Sequence, residues 1–492
     1  MEPSVSHPVA RCLTGVLAML LAGCTAFAPP TVPITRADPQ AGYRVANLLK
    51  RSHGIVNDAE SLFLLTFSGG GTRAAAFSYG VLEELRRTTI RPNGQPRNLL
   101  NEVDFISGVS GGSFTALAYA LYGDKLFTEY EPRFLKRDVQ GALLARTLTP
   151  TNWFKLGSAT YGRSELAADY YDEILFNGAT FADLMDKPTP ATAVTGTDLS
   201  TGARFEFSQT YFDFLCADLG KVRLSRAAAT SSAVPVVLSP VTYDNRGGNC
   251  NAQMPAWVKD ITKPGEPERP AGRALLRYRD IQSLSDSKER PYIHVIDGGV
   301  SDNLGLRGVL EALEEVEASP AFQTQVDFAK IRRIVIIVVN SRSAPATSWD
   351  KSARAPGAVA QLFQASSVPI DHFSYESVEL LKDIAQRWAD ARKLDVAEKR
   401  LGGMSKAQAE AAVPDLKFDA IDVSFDAIEN IDERKYFQNL PTSFVLPDDA
   451  VDRLRALGGQ LLRQSPTYRD LMRRLDGASS AALQPAAARQ QQ

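Results

Sequence analysis

Gly108-Val109-Ser110-Gly111-Gly112 is the stretch of sequence that decides the fold. It stands between an apolar run over Val103–Ile106 and an apolar stretch over Phe114–Tyr122, which predicts a buried strand, a tight turn and a buried helix. In that setting the pattern G-x-S-x-G is typical of a turn that exposes a serine oxygen at the carboxyl edge of a sheet. Glycines flank the serine because the neighbouring backbone leaves no room for a Cβ. Ser110 is therefore the candidate nucleophile.

A second glycine-rich turn, Ser68-Gly69-Gly70-Gly71-Thr72-Arg73, lies between an apolar run over Leu62–Phe67 and an amphipathic stretch over Ala74–Arg87. Consecutive glycines allow several backbone N–H groups to point into one small space, and the start of a helix adds positive potential. Such a turn suits either a phosphate or the oxyanion of an acyl-transfer intermediate. The phosphate-loop ending Gly-Lys-Ser/Thr and the dinucleotide fingerprint are both absent here, which favours an oxyanion hole.

The base for the serine is less obvious, because histidine is scarce. His53, His294 and His372 remain once a predicted leader is removed, and none stands in a glycine-rich turn. By strand alternation His294 points away from Asp297, as a core or interface histidine would. Asp297 itself follows the apolar run Tyr292–Ile296 and precedes two glycines. Open α/β sheets carry catalytic groups at this position, although an Asx turn or a helix cap would also explain an Asp-Gly pair.

Apolar runs and amphipathic stretches alternate from residue 61 onward, and this predicts an α/β fold with a central, mostly parallel sheet sandwiched by helices, related to the α/β-hydrolase architecture. We expect a catalytic domain over 55–345. Within it, the polar insertion 244–290 is too long for an ordinary connection and is expected to be a lid or rim. A helical C-terminal subdomain is expected over 346–477, and a disordered Ala- and Gln-rich tail over 478–492.

The amino-terminal residues predict export. Arg11 precedes an apolar stretch over Cys12–Leu21 that is too short to span a membrane, so residues 1–23 are expected to be a signal peptide. Leu21-Ala22-Gly23-Cys24 resembles the bacterial lipobox, which implies a lipid on Cys24 and attachment to a membrane. An ordinary secretory signal, cut a few residues later, is the alternative.

Two further expectations follow from the lipobox. Thr25 stands where an aspartate would favour retention at the inner membrane, so the resemblance implies the outer membrane if the source is Gram-negative. Residues 24–54, rich in Pro, Ala and Thr, are expected to be a flexible tether. Cys216 and Cys250 remain as a pair in an oxidising compartment, where they would form either a disulfide or two isolated buried thiols.

The charge balance excludes one class of partner. The chain carries 55 Lys and Arg against 57 Asp and Glu, a net charge of −2, and it has no long basic run that would follow nucleic acid. No cluster with metal-ligand spacing is visible, so neither a metal nor a cofactor is expected. The sequence does not indicate an oligomeric state.

Together the three turns resemble the patatin-like phospholipase family: a glycine-rich loop followed by a basic residue, then G-x-S-x-G, then D-G-G, in that order. The family also shows an Ala- and Ser-rich block ending in proline between the serine and the aspartate, and Ala227–Pro235 is similar to it. The resemblance covers roughly Ile55–Asn340 and leaves the C-terminal third unexplained. One departure is Ala74, where many members carry a glycine.

The resemblance implies a Ser-Asp dyad that needs no histidine. Asp297 would take the proton of Ser110, and the amides of Gly69, Gly70 and Gly71 would hold the oxyanion. Arg73 would support this loop or a substrate phosphate. The implied substrate is a phospholipid or another acyl-ester lipid, hydrolysed in the manner of a phospholipase A or a lysophospholipase through an acyl-enzyme on the serine.

Three alternatives remain open at this point. Ser110, Asp297 and His372 follow the chain order of a Ser-Asp-His esterase. A lipid transacylase would use the same residues as a hydrolase. A surface lipoprotein could also keep the fold and only bind lipid, without catalysis.

Overall fold

The computed structural model describes residues 31–52, 60–91, 95–158, 161–235, 237–254, 258, 272–345, 347 and 349–482. The predicted signal peptide over 1–23 and the lipidation site Cys24 lie outside the described residues. The tail was predicted from residue 478, but a helix continues to Ala482, and the rest of the tail also lies outside the described residues.

The strands of the central sheet are β1 Ser61–Phe67, β2 Val103–Val109, β3 Ala191–Asp198, β4 Arg204–Glu206, β5 Val241–Asp244, β6 Tyr292–Asp297, β7 Arg333–Asn340 and β8 Lys417–Ser424. Their order is β8-β7-β1-β2-β3-β6-β5, and β4 pairs with β3. The pairs from β8 to β3 are parallel, whereas the pairs that involve β4, β5 and β6 are antiparallel. The predicted mostly parallel α/β sheet is thus confirmed.

Helices cover both faces of this sheet. They are α1 Val45–Ser52, α2 Gly71–Arg87, α3 Gly111–Tyr122, α4 Leu126–Tyr130, α5 Val139–Leu148, α6 Pro150–Leu156, α7 Arg163–Tyr171, α8 Gln209–Phe214, α9 Leu224–Ser231, α10 Gly272–Ser283, α11 Gly299–Asp302, α12 Arg307–Ala318, α13 Pro320–Gln325, α14 Ala358–Leu401, α15 Lys406–Ala412, α16 Ile431–Gln438, α17 Asp448–Gln464 and α18 Pro466–Ala482. Within the described ranges, no helix combines the length and the apolar character needed to cross a membrane.

The two faces hold separate apolar clusters because strand side chains alternate in direction. In β7, Val335, Ile337 and Val339 belong to the larger cluster, which includes apolar residues of α2, α3, α9 and α17. The even-numbered residues between them belong to the second cluster, with residues of α12 and α14. The central strands are therefore apolar on both sides, as expected for a parallel sheet.

The C-terminal third is mostly helical, but it also contributes a strand to the central sheet. β8 pairs in parallel with β7 along its whole length, from Lys417 beside Arg333 to Ser424 beside Asn340. In addition, α17 lies against α2, where a Cβ on Gly80 would be only 2.1 Å from the carbonyl oxygen of Arg455. The expected helical character of the C-terminal region over 346–477 is confirmed. These residues also complete the sheet and cover the helix behind the first glycine-rich turn.

The prediction of a flexible tether over 24–54 is wrong for the described part of this segment, residues 31–52. Tyr43 is 1% exposed, and its hydroxyl is hydrogen bonded to both the N–H and the carbonyl of Thr192 in β3. Arg44 forms a buried ion pair with Asp213 at 2.6 Å. The Pro- and Ala-rich composition of the segment predicts flexibility, but the side chains of these two residues anchor the segment to the domain. Residues 53–59 lie outside the described residues.

A disulfide fixes the beginning of the insertion over 244–290 to the rest of the domain. Cys216 and Cys250 form a disulfide with Cα atoms 5.5 Å apart. Farther along, α10 lies on α12 through ion pairs of Arg273 with Glu314 and of Arg277 with Glu315. Residues 255–257 and 259–271 lie outside the described residues. In the described part of the predicted lid or rim, the helix α10 is therefore held against α12 by ion pairs.

Candidate active site

Ser110 occupies the sharp turn between β2 and α3, with φ 47° and ψ −119°. A non-glycine residue rarely adopts this conformation, which costs about 1–3 kcal/mol and persists only where the surroundings enforce it. The flanking glycines are required sterically. A Cβ on Gly111 would lie 2.1 Å from the carbonyl oxygen of Gly71, and one on Gly112 would lie 2.6 Å from that of Phe67. The turn can form only because both positions lack a side chain.

The hydroxyl of Ser110 points at Asp297. Ser110 Oγ donates to Asp297 Oδ2 at 3.0 Å, and the other carboxylate oxygen accepts the N–H of Gly299 at 2.7 Å. Sheet register brings the two residues together, because Asp297 ends β6 opposite Gly196 of β3, and β3 pairs with β2. Ser110 is 5% exposed and Asp297 is 6% exposed, so the pair is almost completely shielded from water.

Burial governs the charge of this carboxylate. Removal from water raises the pKa of Asp297 to about 6, while the hydrogen bonds from Gly299 N–H and Ser110 Oγ pull it down. Asp297 is therefore ionised at neutral pH and can still take up a proton. This is the combination that a general base needs.

Ser231, at the end of α9, joins the two catalytic turns. Its Oγ accepts the backbone N–H of Ser110 at 2.8 Å and donates to Thr195 O at 2.7 Å. Its carbonyl oxygen accepts the N–H of Gly298, the residue after Asp297, at 3.0 Å. The family resemblance points to Ala227–Pro235 only as a block, and no pattern within the block singles out this serine.

The glycine-rich loop lies directly beside Ser110, since a Cβ on Gly69 would be 3.2 Å from the Cβ of Ser110. The N–H of Gly69 donates to the carbonyl oxygen of Asn303 at 2.8 Å. Its role as an oxyanion donor is therefore not supported, because that hydrogen is already bound. Among the described residues no acceptor is found for the N–H groups of Gly70 and Gly71. Both have positive φ, 138° and 60°.

Arg73 supports the loop. It is 2% exposed, and its guanidinium donates to the carbonyl oxygens of Ser341 and Leu440 and to the hydroxyl of Thr442. Desolvation lowers the pKa of Arg73 to about 10, which leaves it charged at neutral pH. Of the two roles expected for Arg73, these contacts support the loop-holding one, because all three lead to protein atoms.

Asn303 is a site residue that the sequence reasoning missed. Its side-chain oxygen lies where it would meet a Cβ on Gly69 at 2.5 Å and a Cβ on Gly299 at 3.0 Å. It therefore stands between the oxyanion loop and the loop of Asp297. In the sequence, only its position six residues after Asp297 relates Asn303 to the site.

The histidines lie elsewhere. His294 is exposed on β6 and its Nδ1 pairs with Thr242 Oγ1 at 2.9 Å, so the expectation of a core histidine is wrong, and the alternative of an interface histidine stays a prediction. His372 is an exposed residue of α14, and no hydrogen bond joins it to Ser110 or Asp297 in the described chain. His53 lies outside the described residues. In the same described ranges, no group of three or more His, Cys, Asp or Glu side chains is arranged to hold a metal.

The chain is similar to one known protein family and to several solved structures. The family model for patatin-like phospholipase matches residues 65–310, half of the chain, whereas no curated protein matches. Among solved structures, human GIVD cytosolic phospholipase A2 aligns with a TM-score of 0.45 and 12% identity, over 89% of this chain and 65% of that chain. The same human protein in complex with methyl gamma-linolenyl fluorophosphonate gives a TM-score of 0.39 at 12% identity, over 89% and 63%. The chain thus spans less than two thirds of the length of these solved proteins. On the family match, this chain is a member of the patatin-like phospholipase family.

Proposed function

We propose that the protein is a serine acyl-ester hydrolase of the phospholipase A or lysophospholipase type, with Ser110 as nucleophile and Asp297 as its base. The observation that carries the proposal is the 3.0 Å hydrogen bond from Ser110 Oγ to Asp297 Oδ2. Because the carboxylate contacts the nucleophile directly, the proposed mechanism needs no histidine. Membership of the family supports a lipid substrate.

In the first half of the reaction, Asp297 takes the hydroxyl proton while Ser110 Oγ bonds to the ester carbonyl carbon. The carbonyl oxygen becomes an oxyanion, and the N–H groups of Gly70 and Gly71 stabilise it. When the intermediate collapses, the bond to the alcohol oxygen breaks and the protonated Asp297 returns its proton to that oxygen. The lysolipid leaves, and the acyl group stays on Ser110.

In the second half, water takes the place of the alcohol. Asp297 accepts a proton from the water as its oxygen attacks the acyl-enzyme carbonyl, and the oxyanion again lies at Gly70 and Gly71. Collapse releases the fatty acid, and the proton on Asp297 passes to Ser110 Oγ. Each turnover therefore consumes one water and restores both residues.

The test for the substrate class is fatty-acid release from phospholipid vesicles by the full chain, compared with hydrolysis of short p-nitrophenyl esters. We expect wild type to release fatty acid from the vesicles and Ser110→Ala to release none above background. Hydrolysis of the short esters alone would contradict a lipid substrate but not the hydrolase. Inactivity of wild type on both substrates would contradict the hydrolase and favour a lipoprotein that only binds lipid.

We further propose that the protein is an exported lipoprotein held at the outer membrane by a lipid on Cys24. The lipobox pattern at residues 21–24 carries this proposal, and the disulfide Cys216–Cys250 supports an oxidising compartment. Metabolic labelling with palmitate should mark the wild-type chain and not Cys24→Ala. Equal labelling of both chains, or no labelling of either chain, would contradict the proposed lipid on Cys24.

A further inference from the structure

An apolar surface on α5 and α6 has no role in the chemistry described above. Four large side chains stand out from these two helices: Leu144 is 61% exposed, Leu148 is 62%, Trp153 is 59% and Phe154 is 85%. We call these four residues the Trp153 patch. Scattered exposed apolar side chains are normal, whereas a contiguous group marks a surface that contacts something.

The four residues are concentrated where α5 and α6 meet. Leu144 and Leu148 lie one helical turn apart on the same side of α5. The indole Nε1 of Trp153 donates to the carbonyl oxygen of Thr147 at 3.1 Å, which fixes the ring at the end of α5. Phe154 is the next residue of α6. Large exposed apolar side chains thus gather at one junction of two helices.

The charged side chains on the two helices of the patch are basic, although the whole chain carries a net charge of −2. The two helices and their connection, residues 139–158, contain Arg146 and Lys155 and no acidic residue. Arg146 is paired with Glu173 at 2.7 Å. Lys155, directly after Phe154, is exposed and lies over the ring of Tyr161. An exposed lysine at the edge of an apolar group complements an anionic surface.

The helix that carries Leu144 and Leu148 is connected to the oxyanion loop. Gln140, one helical turn before Leu144, exchanges hydrogen bonds with the backbone of Phe444: its N–H donates to the carbonyl, and its Oε1 accepts the N–H. The preceding residue, Ser443, accepts the N–H of Thr72, and its carbonyl oxygen would be 2.3 Å from a Cβ on Gly71. Two residues of one loop thus connect the helix of the patch to the oxyanion loop.

We propose that the Trp153 patch is the surface with which the protein docks on a lipid bilayer. Leu148, Trp153 and Phe154 enter the boundary between headgroups and acyl chains, and Lys155 faces anionic headgroups. Tryptophan and lysine are enriched at this depth, and helices with such a face lie in the plane of the interface. The inference rests on the proposed function in that docking brings the catalytic site to a lipid substrate. Docking itself needs no turnover.

The direct test is quenching of Trp153 fluorescence by vesicles of phosphatidylcholine and phosphatidylglycerol with brominated acyl chains. The full chain carrying Ser110→Ala is compared with the same chain carrying Trp153→Phe as well, so the difference between them is the signal of Trp153. We expect this difference signal to be quenched most by bromine near the headgroup end of the chains. A difference signal that vesicles leave unchanged would overturn the proposal. A lipid on Cys24 is common to both proteins and does not affect the comparison.

The functional test is the ratio of activity on vesicles to activity on a soluble short-chain ester. Leu148→Gln with Phe154→Gln should lower this ratio about tenfold or more, since two apolar side chains no longer enter the interface. The matched control is Leu394→Gln with Leu401→Gln, two leucines of α14 that are 70% and 90% exposed, and it should keep the wild-type ratio. An equal ratio for both double variants would overturn the proposal. So would ultracentrifugation showing that wild type self-associates through the patch and the patch variant does not.

If wild type hydrolyses neither substrate, the proposed function fails and the quenching experiment still decides whether the patch binds a bilayer.

Discussion

Ser231 Oγ accepts the backbone N–H of Ser110 at 2.8 Å. The nucleophile is thereby held in its strained conformation by a side chain from a different helix. Because the carbonyl of the same serine accepts the N–H of Gly298, Ser231 also fixes the loop that carries Asp297. We regard it as a positioning residue for both catalytic groups.

Replacing Ser231 by alanine should lower kcat about tenfold to a hundredfold with little change in KM, because the distance from Ser110 Oγ to Asp297 is no longer fixed. The unpaired N–H should cost about 1–3 kcal/mol of unfolding free energy. Steady-state kinetics and urea unfolding check the two effects. Ser225→Ala is the control, since Ser225 lies on the same helix and its buried hydroxyl has no hydrogen-bond partner among the described residues. Equal kcat values for the two variants would contradict the positioning role.

The activity should depend on the protonation of Asp297. Burial raises the pKa of this carboxyl to about 6, and only the ionised form can accept the proton of Ser110. We expect kcat/KM to rise with pH through an apparent pKa near 6 and then to level off. A rate profile on a soluble ester, whose charge is constant, measures this. A profile that is flat from pH 5 to pH 8 would contradict the role of Asp297 as base.

The same carboxylate should destabilise the fold at neutral pH. Its pKa is about 6 in the folded protein and 3.8 ordinarily, so the folded state binds more protons between these values and unfolding free energy falls as pH rises through this window. Below this pH window the carboxyl of Asp297 is protonated in both the folded and the unfolded protein, so the free-energy cost of burying its charge vanishes. Asp297→Asn should therefore be more stable than wild type by roughly 2–3 kcal/mol above pH 7 and about equal to it near pH 3. Urea unfolding at both pH values checks this, and a variant less stable at pH 7 would contradict it.

Gly71 should tolerate no side chain. Its φ is 60°, and an added Cβ would lie 2.3 Å from the carbonyl oxygen of Ser443. Gly71→Ala should lose about a hundredfold or more in kcat because the oxyanion loop must move. It should also lose more unfolding free energy than Gly202→Ala, where φ is +73° and nothing lies within 4 Å. The control thus shares the unfavourable φ and lacks the contact. Similar kcat values for Gly71→Ala and Gly202→Ala would contradict the close packing of the oxyanion loop against Ser443.

The three glycine-rich turns could be located from the sequence, because each turn has a steric requirement that glycines reveal. Gly111 and Gly112 are needed wherever the serine turn is made, and a strand before each turn sets its position at the sheet edge. Contacts that depend on register between distant strands left no such signal. The carbonyl of Asn303 that binds Gly69 N–H, and so removes it as an oxyanion donor, belongs to this class.

Two elements were missed because their local composition favoured another interpretation. β8 has the sequence KFDAIDVS, in which two aspartates interrupt the apolar residues, and this weak strand pattern lies within a region whose composition predicts helices. Its role as an edge strand depends on β7, more than 70 residues earlier in the chain. Tyr43 and Arg44 lie in a Pro- and Ala-rich segment, and only their partners Thr192 and Asp213 show that this segment is anchored.

In the proposed mechanism, Ser110 and Asp297 perform the reaction without a histidine. The most direct test is the initial rate of ester hydrolysis by Ser110→Ala, Asp297→Asn and His372→Ala, each shown to be folded by circular dichroism. We expect the first two variants to lose about a thousandfold or more, and His372→Ala to stay within about twofold of wild type. A large loss in His372→Ala together with substantial activity in Asp297→Asn would contradict the dyad and support a Ser-Asp-His esterase.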